Sequence, residues 1–290
     1  MAISSRIKDA LNWCLTPLNL TIQTRTAEKR ELARLLALAE RGQFERRIFP
    51  LLPQFVSCDP APIFEAVKLY RPETERFARS PDENSYSFHN DYFFPPDAQV
   101  AYAMARTLKP KRIVEVGSGN STWLFRQAIM DGGLETEIHS IDPHPRRAIE
   151  ASVKVIKEPV ENVAPDFFYG LLREGDFLFI DSSHEVRVGN DVLYLFLNIL
   201  PGLPPGIVVH IHDIFLPFDY PKTWIIDDHR HRFGEQYLVQ AMLADSGRYE
   251  VIWPGRYLQL MQEDFAAKFA CPVPLREATS LWLRIRPPES

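Results

Sequence analysis

The chain has 290 residues, of which 46% are hydrophobic and 24% are charged, so we expect a folded protein with one large domain or a domain plus an extension. Its formal net charge of −5 and the lack of a long basic run argue against a nucleic-acid partner, and no apolar run approaches the ~20 residues of a membrane span. Three widely spaced cysteines, Cys14, Cys58 and Cys271, argue against a disulfide framework or a zinc–cysteine site and favour a cytoplasmic location.

The first part of the chain predicts helices. Residues 1–23 mix apolar and charged side chains at a spacing that suits a short amphipathic helix. Such a helix either docks on its own protein or makes a weak contact with a membrane surface or a partner subunit, and a homo-oligomer is compatible with the sequence. Residues 26–42 have apolar side chains at i, i+3, i+4 and i+7, which predicts a second helix ended by Gly42.

A proline-rich segment at residues 46–95 separates these helices from the rest of the chain. Its prolines predict that no long element forms there. Residues 85–94 combine aromatic and polar side chains, and a loop of this kind either covers a pocket or is a packed connector. We therefore divide the chain into a helical N-terminal extension and lid at 1–84 and a main domain at 85–290.

The most informative stretch of the main domain is residues 112–124, where a β-branched strand leads into a glycine turn and then a helix. The turn contains Gly117 and Gly119, which we expect to let a ligand approach the backbone at the end of the strand. A dinucleotide fingerprint needs a third glycine where Thr122 stands, and no P-loop lysine is present. Glu115, two residues before the first glycine, would repel a pyrophosphate but suits a ligand that carries an ammonium group.

A second strand over 137–141 ends in Asp142, one strand–helix unit after the glycine turn. A carboxylate at this point can accept two hydrogen bonds from a ribose diol, and we predict that Asp142 does so. Alternating patterns continue to the end of the sequence. Further strands are predicted at 153–156, 176–181, 206–212, 249–253 and 280–286, and helices from Pro95 to Leu108 and at 120–130, 165–172, 186–200 and 235–245. Strands that alternate with helices predict an α/β fold with a doubly wound parallel sheet.

Five segments together resemble the class I S-adenosylmethionine-dependent methyltransferases. They lie at 115–122, 141–145, 175–184, 210–221 and 235–238. The likeness is to a branch of small bacterial O-methyltransferases, of the type called methyltransferase domain family 24. It implies a Rossmann-like, seven-stranded, mostly parallel sheet with an antiparallel last strand. It also implies S-adenosylmethionine as cofactor and O-methylation of a small molecule or a sugar.

The resemblance assigns roles to residues at the strand ends. The residues that it implies for cofactor binding are Glu115, Gly117, Gly119, Ser121, Asp142, Asp181 and Ser182. The segment Asp181–His184 is similar to the Asp-x-x-Lys segment of catechol O-methyltransferases, so Asp181 and His184 are the expected catalytic residues. His184 takes the place of the base, and its ordinary pKa of about 6.5 suits that role.

The same resemblance suggests Mg²⁺ held by Asp181 and Asp213, because hard oxygen ligands favour this ion. Ile214 stands where such enzymes have their third ligand, an asparagine, and Asp227, Asp228, His212 or a water could replace it.

Other functions remain open at this point. His210, His212 and Asp213 together suit a metal-dependent hydroxylase with non-haem iron. A nicotinamide dehydrogenase is disfavoured by Thr122. A third alternative is a module that binds S-adenosylmethionine without catalysis. The sequence does not identify the methyl acceptor.

Overall fold

The computed structural model describes residues 5–18, 26–79, 85–145, 153–228, 230, 232–244 and 246–287. Two parts of the predicted N-terminal segment, residues 1–4 and 19–23, lie outside these ranges. The chain contacts group into two compact units: Met1–Arg46 with Pro221–His231, and Arg47–Tyr220 with Arg232–Ser290.

The smaller unit contains the two helices predicted near the start of the chain. They are α1 (Ser5–Leu15) and α2 (Thr26–Glu40), and the unit also contains a π-helical turn at Thr223–Asp227. On α1 the side chain of Trp13 is 80% exposed. Whether α1 docks on its own protein, touches a membrane surface or contacts a partner subunit stays a prediction.

The larger unit is built on a seven-stranded sheet of the described residues. Its strands are β1 (Arg112–Val116), β2 (Glu137–Ile141), β3 (Lys154–Ile156), β4 (Phe177–Ile180), β5 (Val208–Ile211), β6 (Tyr249–Pro254) and β7 (Leu281–Ile285). Their order across the sheet is β3-β2-β1-β4-β5-β7-β6. The first five strands are parallel, and β7 is antiparallel to both β5 and β6. The predicted fold class and the antiparallel last strand are confirmed.

The central strands are apolar because helices cover both faces of the sheet. All four residues of β4 and of β5 are buried, as are four of the five in β1. Two separate apolar cores result, one on each face. A strand buried on both sides must be nearly continuous in apolar residues, and this property made β1 and β4 recognisable in the sequence.

The larger unit also carries nine α-helices among the described residues. They are α3 (Pro53–Val56), α4 (Ala61–Thr74), α5 (Asp97–Leu108), α6 (Asn120–Gly132), α7 (Pro165–Leu171), α8 (Asp191–Tyr194), α9 (Glu235–Ala244), α10 (Gly255–Met261) and α11 (Phe265–Phe269). The short helices α3, α10 and α11 have no counterpart among the predicted elements.

Helix α4 corrects the prediction that prolines prevent a long element in residues 46–95. The helix has 14 residues and contains two of those prolines. Pro62 lies in the first turn, where a backbone N–H would have no partner within the helix, so it costs nothing there. Pro72 lies near the end of the helix and removes only one of the last hydrogen bonds.

The predicted helix over 186–200 is also shorter than expected. It begins at Asp191, because Gly189 takes a left-handed φ of 71° and Asn190 caps the first turn by accepting a hydrogen bond from the N–H of Leu193. The helix continues as a π-helical turn over Leu195–Ile199.

Residues 85–94 pack into the core. Tyr86, Phe88 and Phe93 are each at most 5% exposed, and the hydroxyl of Tyr86 donates to the carbonyl of Phe93 at 2.5 Å. These three rings pack as a connector would, whereas Tyr92 is 59% exposed, so both alternatives for the segment stay open. No helix within the described part of the chain is long and apolar enough to span a membrane.

Candidate functional site

Four acidic residues mark the carboxyl ends of four neighbouring strands. Glu115 lies within the last two residues of β1, while Asp142 directly follows β2 and Asp181 directly follows β4. Asp213 comes two residues after β5. Because β2, β1, β4 and β5 are adjacent and parallel, these ends lie side by side along one edge of the sheet, where ligands of open α/β folds bind.

Glu115 is fully buried and bonds within the protein. Its carboxylate accepts hydrogen bonds from the hydroxyl of Ser121 at 2.5 Å and from that of Thr122. Burial raises the pKa of Glu115 to about 8, and the two hydroxyl donors oppose that rise. Glu115 and Ser121 therefore fasten the first turn of α6 to β1, while their predicted contact with a cofactor stays a prediction.

Gly117 and Gly119, the two glycines of the turn, differ in how much space surrounds them. Gly117 has a φ of 84°, and a β-carbon there would overlap the carbonyl oxygen of Asp181. The close approach of β1 and β4 therefore requires Gly117, which corrects the expectation that ligand access alone explains it. At Gly119 an added β-carbon would meet no atom within 4 Å. The space beside Gly119, at the N-terminus of α6, is open to a ligand.

Asp142 joins the loops that follow β1 and β2. Its Oδ2 atom accepts hydrogen bonds from the backbone N–H and the hydroxyl of Ser118, each at 2.8 Å. Its Oδ1 atom accepts one from the N–H of His144 at 2.7 Å. Oδ1 has one acceptor site left, and the side chain is only partly buried, so the predicted ribose contact remains chemically open.

Asp181 and Ser182 follow β4 directly. The side chain of Asp181 is 33% exposed. The hydroxyl of Ser182 is buried and has no hydrogen-bond partner within the described structure. A buried hydroxyl without a partner is unfavourable by itself, so Ser182 is a group that a bound ligand could satisfy.

The imidazole of His184 lies among three carboxylates. Its Nδ1 atom is 2.8 Å from Oε2 of Glu235, and its Nε2 atom is 3.3 Å from Oδ1 of Asp181 and 3.4 Å from Oδ2 of Asp213. Burial would lower the pKa of His184, but the hydrogen bond with Asp181 and the charge of Asp213 outweigh it and hold that pKa well above its ordinary value.

This environment does not suit the general base predicted for His184. A base needs a nitrogen lone pair that is free to take a proton, whereas both ring nitrogens here face carboxylate oxygens that only accept hydrogen bonds. The raised pKa favours the protonated ring, whose positive charge would stabilise the ionised carboxylates of Asp181 and Asp213. Burial would raise the pKa of Asp181, but the charges of His212 and His184 hold that pKa below its ordinary value.

The geometry also disagrees with the predicted magnesium site at Asp181 and Asp213. A shared ion would have to bind oxygens of both carboxylates, and Nε2 of His184 already contacts both. Among the residues that the structure describes, no group of three or more His, Cys, Asp and Glu side chains is arranged to hold a metal ion.

His210, in β5, and His212, directly after it, have rings 5.5 Å apart but differ in their surroundings. His210 is fully buried, stacks on Phe179 with ring centroids 3.8 Å apart, and contacts the hydroxyl of Ser280 at 2.9 Å. His212 has its Nε2 atom 3.7 Å from Oδ1 of Asp213. Because His210 packs in the core, the three residues predicted for non-haem iron do not converge on one point.

Two buried acids that the sequence reasoning missed also belong to this region. Glu235, in the first turn of α9, has no exposed surface and holds His184. Asp97, in the first turn of α5, accepts hydrogen bonds from the N–H and the hydroxyl of Thr279. Acids in first turns are common because they suit the helix dipole, so neither position stands out in the sequence.

Comparison with known proteins points to one family. Residues 114–214, about a third of the chain, match a family model described as a methyltransferase domain. No curated protein sequence matches the chain. The matched region extends from β1 to the residue after Asp213 and thus contains all four acids at the strand ends.

The chain is also similar to several solved structures. One is the S-adenosylhomocysteine-bound methyltransferase PaMTH1 of Podospora anserina, with 17% identity over 92% of this chain and 100% of that chain and a TM-score of 0.43. Another is an O-methyltransferase from Bacillus cereus in complex with S-adenosylhomocysteine, with 15% identity, coverages of 78% and 91%, and a TM-score of 0.42. A third is the O-methyltransferase TomG of Streptomyces achromogenes in complex with S-adenosylmethionine, with 17% identity, coverages of 77% and 90%, and a TM-score of 0.42.

These low TM-scores add no argument of their own. The family match covers the strands and turns that build the site, and the sheet has the seven mostly parallel strands and the antiparallel β7 that the resemblance implied. Residues 114–214 therefore resemble a methyltransferase domain, and the α/β sheet around them agrees with the fold that the resemblance implied.

Proposed function

We propose that the protein transfers a methyl group from S-adenosylmethionine to a hydroxyl oxygen of a small molecule or a sugar. The observation that carries this proposal is the open space beside Gly119, at the N-terminus of α6. Asp142 and the unpaired hydroxyl of Ser182 belong to the loops that follow the strands on either side of β1. Carboxylate and hydroxyl groups of this kind suit the ribose and the amino-acid end of the cofactor.

In this proposal, each residue near the open space has a distinct task toward the cofactor. Asp142 accepts hydrogen bonds from the ribose hydroxyls, and Ser182 gains the partner that its hydroxyl lacks. Glu115 keeps α6 in place through its hydrogen bonds with Ser121 and Thr122. The cofactor, when bound, supplies an electrophilic methyl group on a sulfonium sulfur.

The acceptor hydroxyl must be oriented and must lose its proton as the new C–O bond forms. Of the two aspartates next to His184, Asp181 is the more accessible, with 33% of its side chain exposed against 14% for Asp213. We therefore propose that the substrate hydroxyl binds at Asp181. The carboxylate of Asp181 accepts a hydrogen bond from this hydroxyl and then takes its proton. The positive charge of His184 keeps Asp181 ionised before the reaction.

Calorimetric titration with S-adenosylhomocysteine tests the cofactor part of the proposal. We expect micromolar affinity for the wild type and a loss of at least about tenfold in Asp142→Ala, which corresponds to about 1.4 kcal/mol. Asp166→Ala, which removes an exposed carboxylate from α7, is the matched control and should bind as the wild type does. No binding by the wild type would refute the methyltransferase proposal.

The catalytic part needs a turnover assay. Release of S-adenosylhomocysteine is measured against a panel of phenols, alcohols and sugars. We expect Asp181→Asn to lower kcat by at least about tenfold while the protein remains folded. A protein that binds the cofactor but shows no turnover with any hydroxylated acceptor would instead support the non-catalytic binding module.

A further inference from the structure

The imidazole of His184 occupies a position that is unusual for a neutral side chain. Carboxylate oxygens of Glu235, Asp181 and Asp213 lie 2.8–3.4 Å from its two nitrogens. Ionised carboxylates are acceptors only, so the contacts with Asp181 and Asp213 require a proton on Nε2. Burial raises the pKa of Glu235 and the charge of His184 opposes that rise, so the contact of Glu235 with Nδ1 favours a proton on that nitrogen as well. The ring is therefore a cation with a carboxylate on one side and two on the other.

The backbone holds this cation in place. His184 has a left-handed φ of 59°, which is uncommon for a residue with a side chain. Its carbonyl oxygen accepts hydrogen bonds from the N–H groups of Gly234 at 2.9 Å and Glu235 at 3.2 Å. Its ring lies against Phe233, with centroids 5.1 Å apart. Residues 233–235 thus fix both the backbone and the ring of His184.

The burial of the group makes its charge significant. The side chain of His184 is 9% exposed and that of Glu235 is fully buried. Three carboxylates that converge in a poorly solvated space repel one another unless a cation lies between them. In many proteins that cation is a divalent metal ion bound by oxygen ligands. Here the positive charge is part of the chain.

We propose that His184 serves as an internal cation in the position that a divalent metal ion would take between Asp181 and Asp213, with Glu235 as its positioning residue. The wild-type site then needs no divalent metal, and removal of the imidazole lets a divalent ion bind between the carboxylates of Asp181 and Asp213. The prediction on metal binding stands without any assumption about catalysis. Its consequence, methyl transfer that does not depend on magnesium, rests on the proposed function.

Titration with Mn²⁺, followed by electron paramagnetic resonance of the free ion, tests the proposal on the full chain. The decisive variant is His184→Gly, because glycine accepts a φ of 59° without strain. We expect this variant to bind one Mn²⁺ at least about tenfold more tightly than the wild type. The double variant His184→Gly/Asp213→Asn should lose that gain, which locates the ion. His89→Ala, which removes an exposed imidazole elsewhere, is the matched control and should behave as the wild type.

A second substitution covers the case that His184→Gly does not fold. His184→Asn also removes the cation, and asparagine tolerates a positive φ better than most residues, so it should show the same gain in Mn²⁺ affinity. Far-UV circular dichroism confirms that each variant is folded before it is titrated.

Glu235→Gln tests the positioning role. Without the carboxylate of Glu235, the imidazole of His184 should occupy the position between Asp181 and Asp213 for less of the time. Mn²⁺ can then compete for that position, so its affinity should rise above that of the wild type. If Glu235 contributed only to stability, the melting temperature would fall and Mn²⁺ affinity would not change.

Two results would overturn the proposal. One is wild-type Mn²⁺ binding that is abolished by Asp213→Asn, because the position would then be a metal site already. The other is a folded His184→Gly or His184→Asn variant with wild-type Mn²⁺ affinity. Neither result depends on whether the protein methylates anything, so failure here is distinguishable from failure of the cofactor titration.

Discussion

The two glycines of the turn after β1 should respond in opposite ways to the same substitution. In Gly117→Ala the new methyl group would overlap the carbonyl oxygen of Asp181 and lie 3.0 Å from its carbonyl carbon, in a residue with a φ of 84°. In Gly119→Ala the methyl group would meet nothing within 4 Å. The first change perturbs the packing of two central strands, and the second fills space that we assign to the cofactor.

The magnitudes follow from these contacts. The left-handed conformation costs an alanine about 1 kcal/mol, and a backbone shift that relieves the overlap costs roughly 1–3 kcal/mol more. We therefore expect Gly117→Ala to lower the free energy of unfolding by about 3 kcal/mol and the melting temperature by roughly 5–10 °C. Gly119→Ala should cost less than about 1 kcal/mol, mainly through the weaker helix cap, yet reduce S-adenosylhomocysteine affinity at least about tenfold.

Differential scanning calorimetry and calorimetric titration of both variants provide the assay. The reasoning would be refuted if Gly117→Ala melted at the wild-type temperature, since a required close approach cannot tolerate a methyl group. It would equally be refuted if Gly119→Ala bound the ligand as the wild type does, since the open space would then not belong to the cofactor.

Three further predictions concern stability and reactivity. Burial raises the pKa of Glu115 to about 8 from an unfolded value of 4.5. The stabilising contribution of the protonated side chain is therefore fully present below pH 4.5 and is lost as the pH rises to 8, by up to about 1.4 kcal/mol per pH unit. Glu115→Gln should therefore melt progressively higher relative to the wild type between pH 5 and 8, and a constant difference would contradict the assignment. Asp97→Ala should cost about 2–3 kcal/mol in urea unfolding because it leaves the buried N–H of Thr279 without its acceptor, whereas Asp97→Asn should cost less. Burial raises the pKa of Cys58 to about 12, so a disulfide reagent at pH 8 should label exposed Cys14 much faster than Cys58 in the native protein, and equal rates would contradict the structure.

The sequence predicted the central strands well for a physical reason. β4 was placed to within one residue at either end, because a strand covered on both faces must be apolar throughout. β2, which is not apolar throughout, was also placed at the observed residues, between the predicted helix after the glycine turn and Asp142. The prolines of residues 46–95 misled the prediction because their effect depends on position. A proline breaks a helix when it lies in the middle, but Pro62 and Pro72 lie near the two ends of α4, where a proline is tolerated.

The candidate site was predictable in its positions but not in its chemistry. Glu115, Asp142, Asp181 and Asp213 could be placed at strand ends because periodicity fixes where a strand stops. The state of His184 could not be inferred, because it depends on Glu235, which is 51 residues away in sequence. From residue type alone, a histidine at this position suggests a general base. Only the three carboxyl groups around it in the structure favour a cation.

The position of β7 has a consequence for how the protein is made. β7 lies between β5 and β6, and β6 has no other strand neighbour in the described sheet. During synthesis from the N-terminus, β6 leaves the ribosome before its partner exists, and β5 keeps an unpaired edge until residues 281–285 emerge. Thr279, which binds Asp97 and contacts Asp213, emerges just before them. The carboxyl-end cluster is thus completed only after residues 279–285 have emerged, so until then a nascent chain exposes the edge of β5 to chaperones or to other chains.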